Sequence, residues 1–191
     1  MLWHQGLVHD IFHGGMEQED RERALLKFRN GSHRLLITTD LASRGLDIPE
    51  IEHIVHYQLP HNEDAFVHRN GRTARMHAKG TSYLILTPDE LPSYLKAVPE
   101  IEELPAQNTL PRPTPWETLY IAAGKKDKVN KVDIVGLLLK KGELDKEDLG
   151  LIEVLDHTSY AAVKSYKIAK VVSLIKTEKI KNKKVKIEIS R

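Results

Sequence analysis

The sequence of 191 residues contains no cysteine, no apolar run of 18 residues and only 6% aromatic residues. The lack of cysteine excludes disulfides and cysteine-based metal sites, and it is typical of reducing compartments, so we expect a cytoplasmic location. Without a long apolar run, no membrane-spanning segment is predicted. The ten histidines are scattered, and His53 and His56 are expected to face opposite sides of a strand. We therefore predict no metal site.

The sequence also lacks the segments that hold a nucleotide phosphate and its metal ion. The pattern G-x-x-x-x-G-K-S/T is absent, and the segment most similar to it is Gly124-Lys125-Lys126. No Asp-Glu-x-Asp segment occurs either. Any nucleotide chemistry must therefore depend on a phosphate site that another domain supplies.

Charge is divided unevenly along the chain. Residues 1–115 carry 12 Lys and Arg against 16 Asp and Glu, whereas residues 116–191 carry 17 against 11. A basic segment joined to an acidic one indicates that the C-terminal part meets a polyanion.

Residues 7–98 alternate short apolar runs with helical patterns. The predicted strands are Val8–Phe12, Leu35–Thr38, Ile51–Tyr57 and Thr81–Leu86, and the predicted helices are Gln18–Arg29, Glu63–Arg72 and Asp89–Ala97. Such alternation predicts an α/β domain with a parallel sheet covered on both faces.

Four of the nine prolines fall in residues 105–115, which predicts a stiff, extended linker. We therefore place one domain at 1–104 and another at 116–191. The second is predicted to be an α+β plait of order βαββαβ. Its predicted elements are Thr118–Ala123, Asn130–Lys140, Leu151–Leu155, Ser159–Lys164, Lys167–Thr177 and Lys184–Ser190.

Two neighbouring segments carry the strongest functional signal. Residues 38–47 read TTDLASRGLD and follow an apolar run, and residues 68–75 read HRNGRTAR. Guanidinium groups match phosphate oxygens two donors at a time, and strand ends in α/β sheets are where nucleotides bind. An arginine-rich segment alone would favour a solvated helix face, but two long patterns in this order disfavour that interpretation.

These segments resemble motifs V and VI of DEAD-box RNA helicases, and residues 13–21 fit the family pattern HG-x-x-x-Q-x-x-R. Asn70 stands where the family usually has an aliphatic residue, and Ala74 stands where it has glycine. The resemblance covers residues 1–100 and implies the second, recombinase-like helicase domain, lacking its first strand. It also implies ATP and Mg²⁺ as cofactors, with Mg²⁺ held by an N-terminal helicase domain in cis.

The resemblance also implies roles for individual residues at the nucleotide. Arg72 and Arg75 correspond to arginine fingers, which can be worth about 10³ to 10⁵ in rate. His68 corresponds to the residue that organises the γ-phosphate and its water. Asp47 corresponds to the carboxylate near the ribose, and Arg44 to the residue that couples the nucleotide and RNA sites.

Gln18, Arg21, Thr38 and Gly45 resemble the family positions that touch RNA phosphates and sugars, contacts that position a strand without reading its bases. For Gln18 and Arg21 the alternative is an ordinary solvated helix start.

The C-terminal plait resembles the RNA-binding module of DbpA-like bacterial helicases, which implies structured ribosomal RNA as the partner. Tyr120 and Tyr160 fall at base-stacking positions, whereas Ala162 replaces a second aromatic residue. Lys125 and Lys126, with other lysines, are then expected to bind phosphates. A charged face kept for solubility is the alternative.

Two functions remain open at this point. The chain is expected to be the C-terminal portion of an ATP-dependent RNA helicase, inactive alone because the phosphate and metal motifs are absent. Alternatively, it is a non-catalytic RNA-binding protein with a degenerate helicase domain, while a DNA helicase is disfavoured by the plait. A sheet without its first strand also predicts self-association through the open slot.

Overall fold

The computed structural model describes residues 2–40, 51–71, 73, 80–87, 90–104, 106–107 and 109–190. The chain forms two compact units: Met1–Ile11, Glu17–Ile37 and Pro111–Arg191 make up the first, and Phe12–Met16 and Thr38–Leu110 the second. The predicted boundaries at 104 and 116 stay predictions, since these units divide the chain differently. Among the described residues, no helix combines the length and apolar character needed to span a bilayer.

The N-terminal elements follow the sequence pattern closely. Strand β1 is Asp10–Phe12, helix α1 is Gln18–Arg29, and strand β2 is Leu36–Thr38, which is hydrogen-bonded to β1. Helix α1 has the predicted bounds and buries Ala24 and Leu26. It ends at Asn30, and Gly31 follows with a φ of 78°, a conformation that glycine adopts without steric cost.

The second unit contains a parallel strand pair. Strand β3 (His53–His56) pairs in parallel with strand β4 (Thr81–Leu84), which confirms the predicted parallel pairing. Helix α2 (Glu63–Asn70) connects them and begins at Asn62, whose side chain accepts a hydrogen bond from the Ala65 amide. The α/β class predicted for this part of the chain is thus confirmed.

The helix predicted from Asp89 to Ala97 is wrong over the described residues 90–97, which form turns. The Glu90 amide bonds the Thr87 carbonyl, and the Leu95 amide bonds the Pro92 carbonyl, each closing one turn. Pro92 lacks an amide donor and disfavours the helical conformation at the residue before it, so the turns do not propagate.

The C-terminal module, residues 116–191, is the predicted plait. Its strands are β5 (Trp116–Ile121), β6 (Leu149–Val154), β7 (Ser159–Lys164) and β10 (Ile187–Ile189), and its helices are α3 (Lys131–Lys140) and α4 (Ser165–Ile175). The strands form one antiparallel sheet in the order β10-β5-β7-β6. The order of elements confirms βαββαβ.

The final strand is shorter than predicted. Residues 179–184 instead form a hairpin of strands β8 (Lys179–Ile180) and β9 (Lys183–Lys184). Its turn residues Lys181 and Asn182 have φ values of 49° and 64°. Asparagine tolerates this conformation well, which makes a two-residue turn with positive φ accessible here.

One face of the module's sheet packs against both helices. Leu119, Ile121 and Val163 contribute from the strands, and all three are fully buried. Ile134, Leu138, Ile168 and Ile175 cover them from the helices. The alternate strand residues, including Tyr120 and Tyr160, therefore lie on the outer face of the sheet.

Candidate nucleic-acid interface

Most of the predicted nucleotide residues cannot be placed. Arg44, Gly45, Asp47, Arg72 and Arg75 lie outside the described residues. His68 is described: it is exposed in the last turn of α2, shortly before the predicted fingers in the chain. In the described part of the chain there is no group of three or more His, Asp or Glu side chains placed to hold a metal ion.

An ion pair connects the two sequence motifs. Arg69 Nε lies 2.6 Å from Asp40 Oδ1, so the last described residue of the TTD segment contacts the helix that carries the arginine-rich motif. Arg69 also donates to the Gln58 carbonyl at 2.8 Å. These contacts fix the C-terminal end of α2 to two loops at once. Sequence reasoning included both residues in motifs but gave neither a role.

A buried polar cluster lies beside this ion pair. His56 is 2% exposed, and its Nε2 donates to Asn70 Oδ1 at 3.0 Å. Ser82 Oγ donates to the same oxygen at 2.9 Å. Burial lowers the pKa of His56, so the ring is held neutral. Asn70, the departure from the helicase pattern, is therefore accommodated by two polar partners.

The predicted RNA contacts of α1 lie on its first turn. Gln18 is exposed and donates to Glu22 at 2.8 Å, while Arg21 donates to Gln18 Oε1 at 2.9 Å. Arg21 Nε is buried and has no hydrogen-bond partner among the described residues. Thr38 is exposed at the end of β2. Gln18 and Arg21 are thus hydrogen-bonded to each other along the first turn of the helix.

Tyr120 and Tyr160 lie side by side on neighbouring strands. Their ring centroids are 5.6 Å apart and the planes meet at 64°, an edge-to-face pair. Tyr160 is only 6% exposed, and burial raises the pKa of its hydroxyl. Tyr120 is half-buried, so it is at Tyr160 that a base could stack only after the covering side chains have moved.

Lys125 and Lys126 are exposed on a 3₁₀ turn, Lys125–Asp127. The preceding Gly124 has no space for a side chain, since a Cβ there would lie 2.3 Å from the Leu155 carbonyl oxygen. That close approach lets the amides of both lysines bond the carbonyls of Leu155 and Asp156, at 2.9 Å each. The backbone thus holds both ammonium groups outward.

Further lysines are brought to the same end of the module by two ion pairs. Lys183 contacts Asp127 at 2.9 Å, and Lys181 contacts Asp133 at 2.8 Å. The hydrogen bond from Lys183 is the main cause of the lowered pKa of Asp127. A concavity of about 450 Å³ adjoins Lys125 and is lined by Arg29, Lys125, Val129, Asn130, Lys131, Leu151, Glu153 and Val154. This basic end has the character of a phosphate-binding surface.

Two family models match the chain in sequence order. The helicase conserved C-terminal domain matches residues 1–77, and the DbpA RNA binding domain matches residues 118–189. The chain therefore combines a helicase conserved C-terminal domain with a DbpA-type RNA-binding domain, and it resembles the C-terminal part of DbpA-like DEAD-box RNA helicases.

Two curated relatives match nearly the whole chain. The chain is 31% identical to the ATP-dependent RNA helicase DbpA of Bacillus subtilis over 95% of its own length and 44% of that protein. It is 34% identical to the ATP-dependent RNA helicase DbpA of Escherichia coli over 93% of its own length and 40% of that protein. The chain thus spans less than half the length of the curated relatives it matches.

A solved structure of the C-terminal domain of the DEAD-box protein Dbp5 is also similar. It is 33% identical with a TM-score of 0.41, over 46% of this chain and 52% of that one.

Proposed function

We propose that this chain provides the arginine side of a composite ATP site, and an RNA anchor, in an ATP-dependent RNA helicase. The observation that carries the proposal is the contact between Arg69 and Asp40, because it joins the two motif segments on which the helicase resemblance depends. The relatives that match almost the whole chain are ATP-dependent RNA helicases by name.

The residue types suit a triphosphate. Arg72 and Arg75 would stabilise charge on the transferred phosphoryl group, and His68, exposed at the end of α2, would hold the γ-phosphate and water network. Asp47 and Arg44 would contact the ribose side and couple it to RNA. Mg²⁺ would be held by the partner helicase domain, since this sequence lacks the carboxylate motif for it.

RNA would be bound at two places. Gln18, Arg21, Thr38 and Gly45 would contact the backbone of the strand being remodelled. The module, with Lys125 and Lys126, would anchor a structured element, which tethers the helicase domains near their substrate and raises the local concentration. We propose ribosomal RNA as that element, on the resemblance of the module to DbpA-type RNA-binding domains.

The test is to fuse a cognate N-terminal recombinase-like domain in cis and to measure ATPase activity stimulated by structured RNA. We expect no RNA-stimulated turnover from the 191 residues alone and measurable turnover from the fusion. Arg72→Ala or Arg75→Ala should lower the turnover of the fusion by about 10³-fold or more.

Arg34→Ala is the matched control, because Arg34 is exposed outside the motifs, and it should leave turnover unchanged. Turnover by the isolated chain would contradict the composite site. A fusion that binds RNA but never hydrolyses ATP would favour the non-catalytic alternative.

A further inference from the structure

The outer face of the module's sheet is closed to solvent at its centre. Thr118, Tyr160 and Ala162 lie on this face, and their exposed fractions are 1%, 6% and 0%. The two helices of the module cover the opposite face, so they do not account for this burial. Another part of the first unit must cover the outer face.

The covering residues are the end of α1 and the turn after it. Asn30 Nδ2 donates to Thr118 Oγ1 at 2.9 Å, and Thr118 Oγ1 donates to Ser32 Oγ at 2.8 Å. Arg29 pairs with Glu153 at 3.0 Å, with the two side chains 28% and 16% exposed. The contact is therefore polar, buried and specific, and it joins residues more than 80 positions apart.

Charge on this face also disfavours a phosphate chain. Glu188, Tyr120, Tyr160 and Glu153 lie opposite one another in register, so a carboxylate flanks the tyrosine pair on each side. A concavity of about 350 Å³ remains beside the rings, and its lining includes Glu19, Glu22, Asp156 and Glu188 against Arg23 and Lys186. These carboxylates would repel the phosphates of a strand, so only its bases, and not its backbone, could lie against the rings.

We propose that the outer sheet face of the module is a docking surface for the end of α1, and that α1 and unpaired RNA bases compete for it. The first half of this proposal, the docking of α1, is supported by the contacts above. The second half, the competition with RNA bases, rests on the proposed function. Since α1 also carries Gln18 and Arg21, release of the helix would expose the tyrosines and free the helix that is predicted to contact the strand.

The absence of cysteine allows a direct test with the double variant Ser32→Cys/Thr118→Cys. The hydroxyl oxygens of these residues are 2.8 Å apart, and thiol sulfurs in their places would come within reach of a disulfide. We expect the disulfide to form in air-oxidised protein, as shown by mass spectrometry. Oxidation should then weaken binding of a labelled single-stranded RNA oligonucleotide of mixed sequence by at least about fivefold, the loss of one stacked base.

Each single-cysteine variant is the control and should show no effect of oxidation on RNA binding. A second measurement uses the Thr118→Cys variant, in which the charges of the Arg29–Glu153 ion pair are reversed one after the other. Arg29→Glu should open the contact and raise the rate at which the introduced thiol is labelled, and added Glu153→Arg should reverse this by restoring an ion pair.

The outcomes separate the two halves of the proposal. Failure of the disulfide to form would overturn the docking. A disulfide that forms without weakening RNA binding would overturn the competition. A reduced variant that binds no RNA would defeat both the competition and the proposed function, while disulfide formation would still decide the docking.

Discussion

At the scale of the residue, Asn70 shows that a sequence can reveal an unusual residue but not the residues that it contacts. Its departure from the aliphatic residue of the helicase pattern is visible in the sequence, but His56 and Ser82, its partners, are 14 and 12 positions away on different strands. Strand periodicity correctly predicts that His53 and His56 face opposite sides, and only His56 is buried. Periodicity gives a side chain's face but not the group it meets.

Asn70→Ile restores the family's residue type and should nevertheless destabilise this protein. It removes the acceptor that the Ser82 hydroxyl and the His56 ring share and leaves these part-buried groups only their mutual contact of 3.1 Å, at a cost of about 1 kcal/mol. Urea denaturation at neutral pH measures the free energy of unfolding. Gln107→Leu, at an exposed position, should change it by less than about 0.5 kcal/mol. Equal effects of the two substitutions would contradict the network.

His56 should make stability depend on pH. Burial, followed by the Arg69 charge, lowers its pKa below 6.5, whereas Asn70 and Asp40 act in the opposite direction. As the pH falls, His56 is protonated more readily in the unfolded chain than in the folded one. Its contribution to folding stability is therefore complete above pH 6.5 and is lost as the pH falls below that value. The free energy of unfolding should therefore fall less steeply below that pH in His56→Asn than in the wild type. The exposed His61→Asn should keep the wild-type slope, and an identical slope in His56→Asn would contradict the assignment.

At the scale of the element, the predictable parts are those whose own residues determine them. Helix α1 and strand β7 have the predicted bounds, because α1 carries a stripe of apolar residues and β7 is a short run of residues that are buried on both faces of the sheet. The helix predicted over 89–97 is wrong over the described residues 90–97, because Pro92 lacks an amide donor and interrupts the hydrogen bonds that a helix needs. Strand β10 is shorter than predicted because Lys184, its predicted first residue, pairs with Lys179 in the hairpin instead.

Helix α3 provides a prediction about a helix terminus. Asn130 accepts from the Asp133 amide at 3.1 Å, and the Asp133 carboxylate accepts from the Asn130 amide at 3.0 Å. Asn130→Ala removes the first of these bonds and should cost about 1 kcal/mol, seen as a lower Tm of the module. Asn130→Ser keeps an acceptor oxygen and should retain most of the stability. If alanine and serine destabilise equally, the side-chain cap does not contribute.

At the scale of the whole molecule, the sequence predicts the charge of a module better than it predicts which of the module's faces are exposed. The basic balance of residues 116–191 is visible in the sequence, and the structure places Lys125 and Lys126 outward at the end where the 179–184 hairpin lies. The burial of Tyr160 is not visible there, because the residues that cover the sheet lie far earlier in the chain. A stacking pattern in a strand does not show whether its face is open.

Reversal of Lys125 and Lys126 to glutamate should therefore weaken binding of structured RNA more than any change at the tyrosines of the docked protein. These side chains are exposed at the basic end, and removal of each phosphate interaction flattens the plot of log affinity against log salt by about 0.7 to 0.9. The slope should decrease by about 1 to 2 across a salt titration followed by fluorescence anisotropy. Lys146→Glu/Lys176→Glu is the charge-matched control, since both lysines are exposed elsewhere in the module. If the control flattens the slope as much, net charge rather than a defined phosphate site governs binding, and the basic end loses its role as the anchor.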